Sequence, residues 1–417
     1  MGVASETLGA ALEETLAPEL DEHVPAPRRQ WTTWLAVAAV VLIGLNLRAG
    51  ITSASALFHG LQQLLGYGPL VASLLPTIPV LCFAVAGAAT AWLSGRIGLE
   101  RSIALALVLL TAGLALRGVD SVGLLLAGTV VAMSGLAICN VAMPSFIREH
   151  FAHRTSAMTG TFTITMASGA TVAAAVSVPL AAQLDSPTRG LAVWALLGAV
   201  ALAAFLPLAA VSRPRPLAGG RRHVSPWPLL RTRKGLLATA LFATQALLVY
   251  ALMSWLPFIM VSRGLDAAAG GLILAVVQVL SIPAVIVLLA MATRPRLLRP
   301  AFMLTASCAL AGYVALLVLP AQLGLVPAVL LGLGFGVFPL LMLVISRSGS
   351  SAAETTALST LAQSVGYLFA AAGPFGLGLL HDAVGSWTPP LVLMLAGSVL
   401  QLLLCFWITA RERTAQP

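Results

Sequence analysis

Residues 34–58 read WLAVAAVVLIGLNLRAGITSASALF, an apolar run whose only charged residue is Arg48. A helix needs about 20 residues to cross the hydrocarbon core of a bilayer, so this run is long enough to span a membrane. The stretch therefore predicts a transmembrane helix that carries one arginine well inside the hydrocarbon.

The composition of the whole chain agrees with this interpretation. Of the 417 residues, 59% are hydrophobic and only 9% are charged, and the mean hydropathy is +0.98. A soluble protein carries about 25% charged residues, so a soluble fold is excluded. The composition predicts an all-α integral membrane protein. We interpret the net charge of +9 as a sign of membrane topology, and we expect no nucleic-acid partner.

Twelve apolar segments predict twelve membrane spans. In the first half they cover 34–58, 69–93, 100–117, 122–146, 156–182 and 189–211. In the second half they cover 236–261, 267–292, 300–319, 323–346, 355–380 and 388–409. We therefore predict two six-helix bundles, 31–211 and 235–410, joined by the basic stretch 212–234 as a cytoplasmic linker.

The basic residues predict the orientation of these spans. Of 23 Lys and Arg residues, 19 fall on the side of the termini and the linker, and three, Arg117, Arg189 and Arg263, fall on the opposite side. The positive-inside rule places the larger group in the cytoplasm. We predict a multi-pass protein of the plasma (inner) membrane with both termini cytoplasmic, 1–30 being a disordered tail and 411–417 a second short tail.

A weak internal repeat supports the division into halves. The fourth segment ends in GLAICNVAMPSFIR (135–148) and the tenth in GFGVFPLLMLVISR (334–347), at an offset of 199 residues. Two halves in the same orientation imply a pseudo-twofold axis along the membrane normal. A substrate site is then expected between the halves at mid-depth.

Arg48 is the first candidate for that site. An arginine at the bilayer centre costs roughly 2.5–3.5 kcal/mol on insertion scales and normally faces a cavity or a partner. No span contains an obvious carboxylate to pair with it. The functional interpretation is that Arg48 binds an anion or a polar acceptor with its planar fork. The alternative is a structural arginine bonded to backbone carbonyls.

Other polar side chains inside the spans are candidate substrate contacts. Thr52 follows Arg48 by one helical turn, and Asn46 lies on a different face of the same helix. The remaining candidates are Asn140, Gln245, Tyr250, Gln278, Gln363 and Tyr367. For each of these, a hydrogen bond between helices is the alternative interpretation.

Motifs for catalysis are missing from the sequence. There is no nucleotide-binding P-loop, and the four cysteines have no spacing typical of a metal site. We therefore predict no enzyme, no cofactor and no metal.

The twelve spans, the basic linker and the loop GRIGLER (95–101) resemble the major facilitator superfamily of transporters. The loop is similar to the signature between the second and third helices, although Gly95 stands where the signature usually has an acid. The resemblance implies a gating role for Arg96, Gly98 and Arg101.

Four stretches, NLRAGITSA (46–54), LPTIPVLCF (75–83), GRIGLER and AQSVGYLFAAAGPFGLGLLHD (362–382), resemble the cyanate transporter and 2-nitroimidazole transporter family. In that family the first helix usually carries Asn-Leu-Arg-Pro, and here Ala49 replaces the proline. The resemblance implies transport of a small polar or anionic solute, with Arg48 matching the family arginine.

The resemblance leads to the hypothesis of a secondary active or facilitative transporter that works by alternating access. One alternative is a drug or metabolite efflux pump of the same superfamily, although the drug-antiporter signature is absent from 168–182. Another is a transport-dead membrane sensor or scaffold. We expect a monomer whose partners are the solute and the bilayer, with protons or a counter-ion as the candidate coupling species.

Overall fold

The computed structural model describes residues 30–211, 227–347 and 352–410. Predictions about residues 1–29, 212–226 and 411–417 therefore lie outside the described residues. The contacts between residues divide the chain into two units, Met1–Trp34 and Leu35–Pro417. Of the first unit, the structure describes Gln30–Trp34, which form the start of a helix.

The regular structure of the described residues is entirely helical. The helices of the N-terminal half are α1 (Gln30–Leu65), α2 (Pro69–Ile97), α3 (Leu99–Leu116), α4 (Val122–His150), α5 (Thr155–Gln183), α6 (Pro187–Ala192) and α7 (Trp194–Val211). Those of the C-terminal half are α8 (Arg233–Ser262), α9 (Ala267–Ala292), α10 (Pro295–Val318), α11 (Leu325–Leu333), α12 (Val337–Ser346), α13 (Ala352–Ala370), α14 (Ala372–Val384) and α15 (Thr388–Ala410).

The predicted twelve-span fold is confirmed. Within the described residues, 11 helical segments are long and apolar enough to cross a membrane, and a shorter apolar helix, Pro69–Val85, lies in α2. Three spans consist of two consecutive helices each, α6–α7, α11–α12 and α13–α14. The first span is longer than predicted, because α1 continues past residue 58 to Leu65.

The break between α11 and α12 is stabilised by hydrogen bonds from the neighbouring helix α10. A short 3₁₀ turn, Gly334–Gly336, separates the two helices, and the Thr305 hydroxyl of α10 donates to the Leu333 carbonyl at 2.9 Å. The same oxygen accepts from the Gly336 amide at 3.1 Å, so the interruption is stabilised by side-chain hydrogen bonds.

Each half packs mainly within itself. In the N-terminal half, α3 packs on α4 and α7, and α2 packs on α4. In the C-terminal half, α8 packs on α13, α10 on α15, and α9 on α11. The two halves meet where α5 contacts α9 and where α2 contacts α13 and α14.

The bundle has two opposite ends, which we call the linker face and the far face. The linker face is the end where α7 finishes at Val211 and α8 begins at Arg233, and the far face is the opposite end, where α1 finishes at Leu65. At the far face, the Phe58 ring of α1 lies 5.9 Å from the Trp255 ring of α8. The Trp255 indole also donates to the Pro374 carbonyl at 2.9 Å. The halves are therefore in close contact on the far side of the bundle centre.

Candidate functional site

Arg48 lies near the middle of α1, and its side chain is half-buried. Its Nη1 donates to the Met253 sulfur of α8 at 2.9 Å, which is the one hydrogen bond of this side chain to the described residues. A thioether is a weak acceptor, so the guanidinium keeps most of its five donors available for another group. Arg48 thus bridges the two halves and still has the capacity to bind a ligand.

Aromatic rings form a wall beside Arg48. The guanidinium carbon lies 6.0 Å from the centroid of the Tyr250 ring, within range of a cation–π contact. The Phe83 ring of α2 lies 6.3 Å from Tyr250 and 5.7 Å from Tyr367 of α13, and it stacks on Tyr367. Phe242 meets Tyr367 edge-on at 5.0 Å. Arg48, Phe83, Tyr250 and Tyr367 together are called the central site below.

The charge of the central site is positive. The acids of the described residues all lie in loops or near helix ends, at Glu100, Asp120, Glu149, Asp185, Asp266, Glu354 and Asp382. Among the described residues, none of these acids forms an ion pair with Arg48; Glu100 instead lies 3.8 Å from His150. The described residues also contain no group of three His, Cys, Asp or Glu that could hold a metal ion. The site therefore favours a negative or electron-rich ligand.

Two of the predicted polar contacts have hydrogen-bond partners on other helices. Asn46 donates to the carbonyls of Leu42 (2.9 Å) and Leu197 (3.2 Å), which ties α1 to α7. Gln245 of α8 accepts from Gln401 of α15. These contacts correspond to the hydrogen-bonding alternative, although a role on the solute path remains a prediction for each.

Gln363 lies one turn before Tyr367 on α13, and its amide donates to the Ser359 hydroxyl at 2.9 Å. Thr52 is fully buried one turn after Arg48, and its hydroxyl has no hydrogen-bond partner among the described residues. Gln278 is buried in α9 and Asn140 is half-buried in α4. In the parts of the chain that the structure describes, no hydrogen bond or ring contact joins any of these four residues to Arg48. Their role in binding therefore stays a prediction.

The predicted gating loop is a tight turn between α2 and α3 at the linker face. Gly98 has φ +89°, a conformation that side-chain-bearing residues rarely adopt, and its carbonyl accepts from Ser102 at 2.7 Å. Arg96 is exposed and lies 4.4 Å from the centroid of the Trp92 ring, and Arg101 is exposed. Their gating role remains a prediction.

Three residues that lie in or beside the central site were not predicted from the sequence. Phe83, Phe242 and Met253 are apolar residues in apolar helices, so their type and spacing do not distinguish them from ordinary packing residues. LPTIPVLCF (75–83), quoted above for its family resemblance, ends on Phe83 and was the only available signal.

The structure also corrects the placement of Arg117. The sequence placed this arginine at the end of the third span, 100–117, on the side opposite the linker, with Arg48 as the only charge well inside the hydrocarbon. Arg117 is instead 1% exposed, and its Nη1 donates to the Gly50 carbonyl of α1 at 3.0 Å. The long side chain turns back into the bundle from the C-terminal end of α3, which a count along the sequence does not reveal.

The long apolar helices of the described residues define a polytopic membrane protein. The pattern of the Major Facilitator Superfamily matches residues 35–374. The chain belongs to the Major Facilitator Superfamily, as its sequence resemblance predicted.

Relatives are found over nearly the full length of the chain. It is 33% identical to the 2-nitroimidazole transporter of Escherichia coli (strain K12) over 375 residues, which cover 85% of this chain and 90% of the relative. It is 29% identical to the cyanate transport protein CynX of the same organism over 351 residues, covering 84% and 90%.

Solved structures share the fold at low sequence identity. The nucleoside transporter NupG matches with a TM-score of 0.73 at 10% identity, covering 89% of this chain and 99% of that one. A bacterial homologue of the human lysosomal transporter Spinster, in an inward-facing and unoccupied conformation, matches with a TM-score of 0.69 at 15% identity, covering 92% and 98%. These two likenesses concern the fold alone.

Proposed function

We propose that this protein carries a small planar solute bearing negative or nitro oxygens across the membrane by alternating access. The solute class includes a cyanate-like anion and a nitroimidazole-like compound. The observation that carries the proposal is Arg48, a half-buried guanidinium between the two halves whose described hydrogen bond goes to a weak acceptor, the Met253 sulfur.

The chemistry of Arg48 suits such a solute. A guanidinium presents parallel N–H donors that match two oxygens of a carboxylate-like or nitro group. Hydrogen bonds to a charged group contribute about 1.5–3 kcal/mol each, which is enough to select a solute that has these oxygens.

The aromatic wall favours the nitroimidazole-like member of the class. Phe83 and Tyr367 are stacked at 5.7 Å with ring planes 29° apart, so a flat ring can lie against an existing aromatic face. Contacts between aromatic rings contribute about 0.5–1.5 kcal/mol beyond area burial. A linear anion such as cyanate gains nothing comparable from stacking. The printed names of the relatives, 2-nitroimidazole transporter and cyanate transport protein, support the same two solutes.

The contacts between the halves support alternating access. Those described here run from the central site to the far face, from Arg48–Met253 at mid-depth to Phe58–Trp255 farther out. An arrangement closed on the far side corresponds to an inward-facing state when the linker face is cytoplasmic. The excess of arginine on the linker face supports that orientation, with both termini cytoplasmic in the plasma membrane.

Uniport or solute exchange is the proposed energetics, and the monomer the proposed unit. Proton coupling usually relies on a carboxylate buried within the membrane. The described acids lie near helix ends, as in Glu354 at the start of α13 and Asp382 near the end of α14. We assign the chain no catalytic reaction.

Flux into proteoliposomes tests the proposal. Purified protein is reconstituted and offered cyanate, nitrate, acetate, 2-nitroimidazole and imidazole, with Arg48→Ala liposomes as the background. We expect saturable 2-nitroimidazole uptake above that background and none for imidazole, which lacks the nitro group. Solute binding without flux would instead favour the sensor, and flux of large organic cations alone would favour the drug exporter.

A variant at Phe83 distinguishes the nitroimidazole-like solute from the cyanate-like anion. Replacing Phe83 with Leu keeps an apolar side chain but removes the aromatic face that lies against Tyr367. We expect the half-saturating 2-nitroimidazole concentration to rise about two- to tenfold, with cyanate uptake little changed. An equal effect on both solutes would argue against ring stacking at the central site.

A further inference from the structure

Arg117 is a buried charge that the central site does not use. Its aliphatic stem passes α4 at Gly128. A Cβ added to this glycine would lie 3.1 Å from Arg117 Cγ. Its Nη1 reaches the Gly50 carbonyl of α1 at 3.0 Å. The side chain is 1% exposed, so the surrounding helices form a fitted slot for it.

The positive charge in this slot is not compensated by an acid. Among the described residues, no carboxylate forms an ion pair with Arg117, and its buried Nε has no hydrogen-bond partner. Arginine stays protonated in proteins, so burial does not remove the charge. Leaving a buried charge unpaired costs several kcal/mol. A counter-ion would remove most of that cost.

A small cavity with a few polar groups in its lining lies beside Arg117. Its volume is about 10 Å³, room for one particle the size of a water molecule. The polar side chains that line it are Arg117, Ser55, Thr129 and Ser254. Ser55 and Thr129 donate their hydroxyl protons to backbone carbonyls of α1 and α4. Among these side chains, the Ser254 hydroxyl and the Arg117 N–H groups that do not bond Gly50 have no hydrogen bond to the described residues, so they are the donors left for a ligand.

We propose that this cavity binds one monovalent, single-atom anion, chloride under ordinary conditions. A halide supplies the missing negative charge, and the cavity is too small for cyanate, nitrate or a carboxylate. A water molecule would fit by size but would leave the guanidinium charge uncompensated. The site is distinct from the central site and does not depend on which solute is transported.

The anion site joins the two halves of the protein. Ser254 comes from α8, whereas Ser55, Arg117 and Thr129 come from the N-terminal half. The cavity also lies on the far side of the central site, where the halves are in contact. A bound halide therefore stabilises the state that is closed at the far face.

Thermal unfolding of the purified full-length protein in detergent tests the proposal. Sodium gluconate is replaced stepwise by sodium chloride or bromide at constant ionic strength. We expect the unfolding temperature to rise along a saturable curve, since a ligand that binds only the folded state stabilises it. In Arg117→Gln this rise should disappear. In Ser254→Ala the half-saturating halide concentration should increase about fivefold, the effect of one hydrogen bond.

Two control variants make the result specific. Arg189→Gln removes an exposed arginine of the far face and should keep the full halide response. Arg48→Ala should also keep it, which distinguishes a failure of the anion site from a failure of the solute site. The proposal is overturned if halide does not stabilise the wild type beyond gluconate. It is equally overturned if Ser254→Ala responds as the wild type does, an outcome that decides the matter even when Arg117→Gln does not fold.

Discussion

Arg48 interacts with the C-terminal half through a weak acceptor and a ring face, Met253 and Tyr250. Neither contact neutralises its charge. A structural arginine would be expected to bond backbone carbonyls, as Arg117 does with Gly50. The difference between these two arginines supports the assignment of Arg48 to solute binding and of Arg117 to a separate role.

Replacing Arg48 with Ala should abolish transport while the protein still folds and inserts into the membrane. Loss of one or two charge-assisted hydrogen bonds at about 1.5–3 kcal/mol each weakens affinity at least ten- to hundredfold. Arg48→Lys keeps the charge but loses the planar fork, so it should transport poorly. Calorimetric titration of monodisperse protein with a transported solute measures the loss of affinity, and flux into proteoliposomes measures the loss of transport.

The control for this comparison is Arg189→Ala, which removes an exposed arginine of the far face. Its affinity should match that of the wild type. If Arg48→Ala also binds the transported solute with unchanged affinity, the central site is wrongly assigned.

At the scale of the helices, small residues decide how closely two spans approach. A Cβ on Gly113 of α3 would meet the backbone of Ala132 and Gly128 on α4, so these helices touch backbone to backbone. Without a hydrophobic driving force inside lipid, such close packing supplies much of the attraction between helices. The α3–α4 contact also holds the slot through which Arg117 passes.

Gly113→Val should therefore destabilise the N-terminal half. Two helices would have to separate, and overpacking of this kind costs typically 1–3 kcal/mol. We expect a lower yield of monodisperse protein and a lower unfolding temperature by light scattering and fluorescence.

Gly95→Ala is the matched control, because a Cβ at Gly95 would meet no atom within 4 Å. This variant should be as stable as the wild type or slightly more so, since alanine is the better helix former. Equal unfolding temperatures for the two variants would contradict the role given to the α3–α4 contact.

At the scale of the whole molecule, transport requires the far face to open. Ser73 of α2 and Gly378 of α14 lie on opposite halves, and a Cβ on Gly378 would be 3.2 Å from the Ser73 Cβ. Disulfides bridge Cβ atoms about 3.5–4.5 Å apart. A bond therefore requires the two helices to separate slightly and the Trp255 ring to shift, since its Cζ2 would lie 2.6 Å from the new Cβ.

The double variant Ser73→Cys with Gly378→Cys should cross-link on oxidation and stop flux. The four native cysteines are first replaced by alanine, so that no other pair can form. A reducing agent should restore flux to the level of the unoxidised variant, as measured in proteoliposomes. The single variants under the same oxidant serve as controls. Full flux through a completely cross-linked protein would exclude opening at this contact.

Hydropathy by itself determined the helices of this protein and their number. A helix in contact with lipid must be long and apolar whichever helices it packs against, so the sequence alone shows where the spans lie. Arg48 stands out in the same way, because it is the one charge within the apolar run of α1. The signature loop and the first-helix motif carried the family assignment in the same way, because both are contiguous in sequence.

Only the tertiary structure decided which side chains form the central site. Phe83, Tyr250 and Tyr367 come from three helices in both halves, and their meeting depends on how each helix is rotated against its neighbours. In helices that are apolar on all sides, no periodic pattern records that rotation. The sequence could not predict the pairing of Gln245 with Gln401 or the inward turn of Arg117 either. Both depend on packing between segments that are distant in sequence.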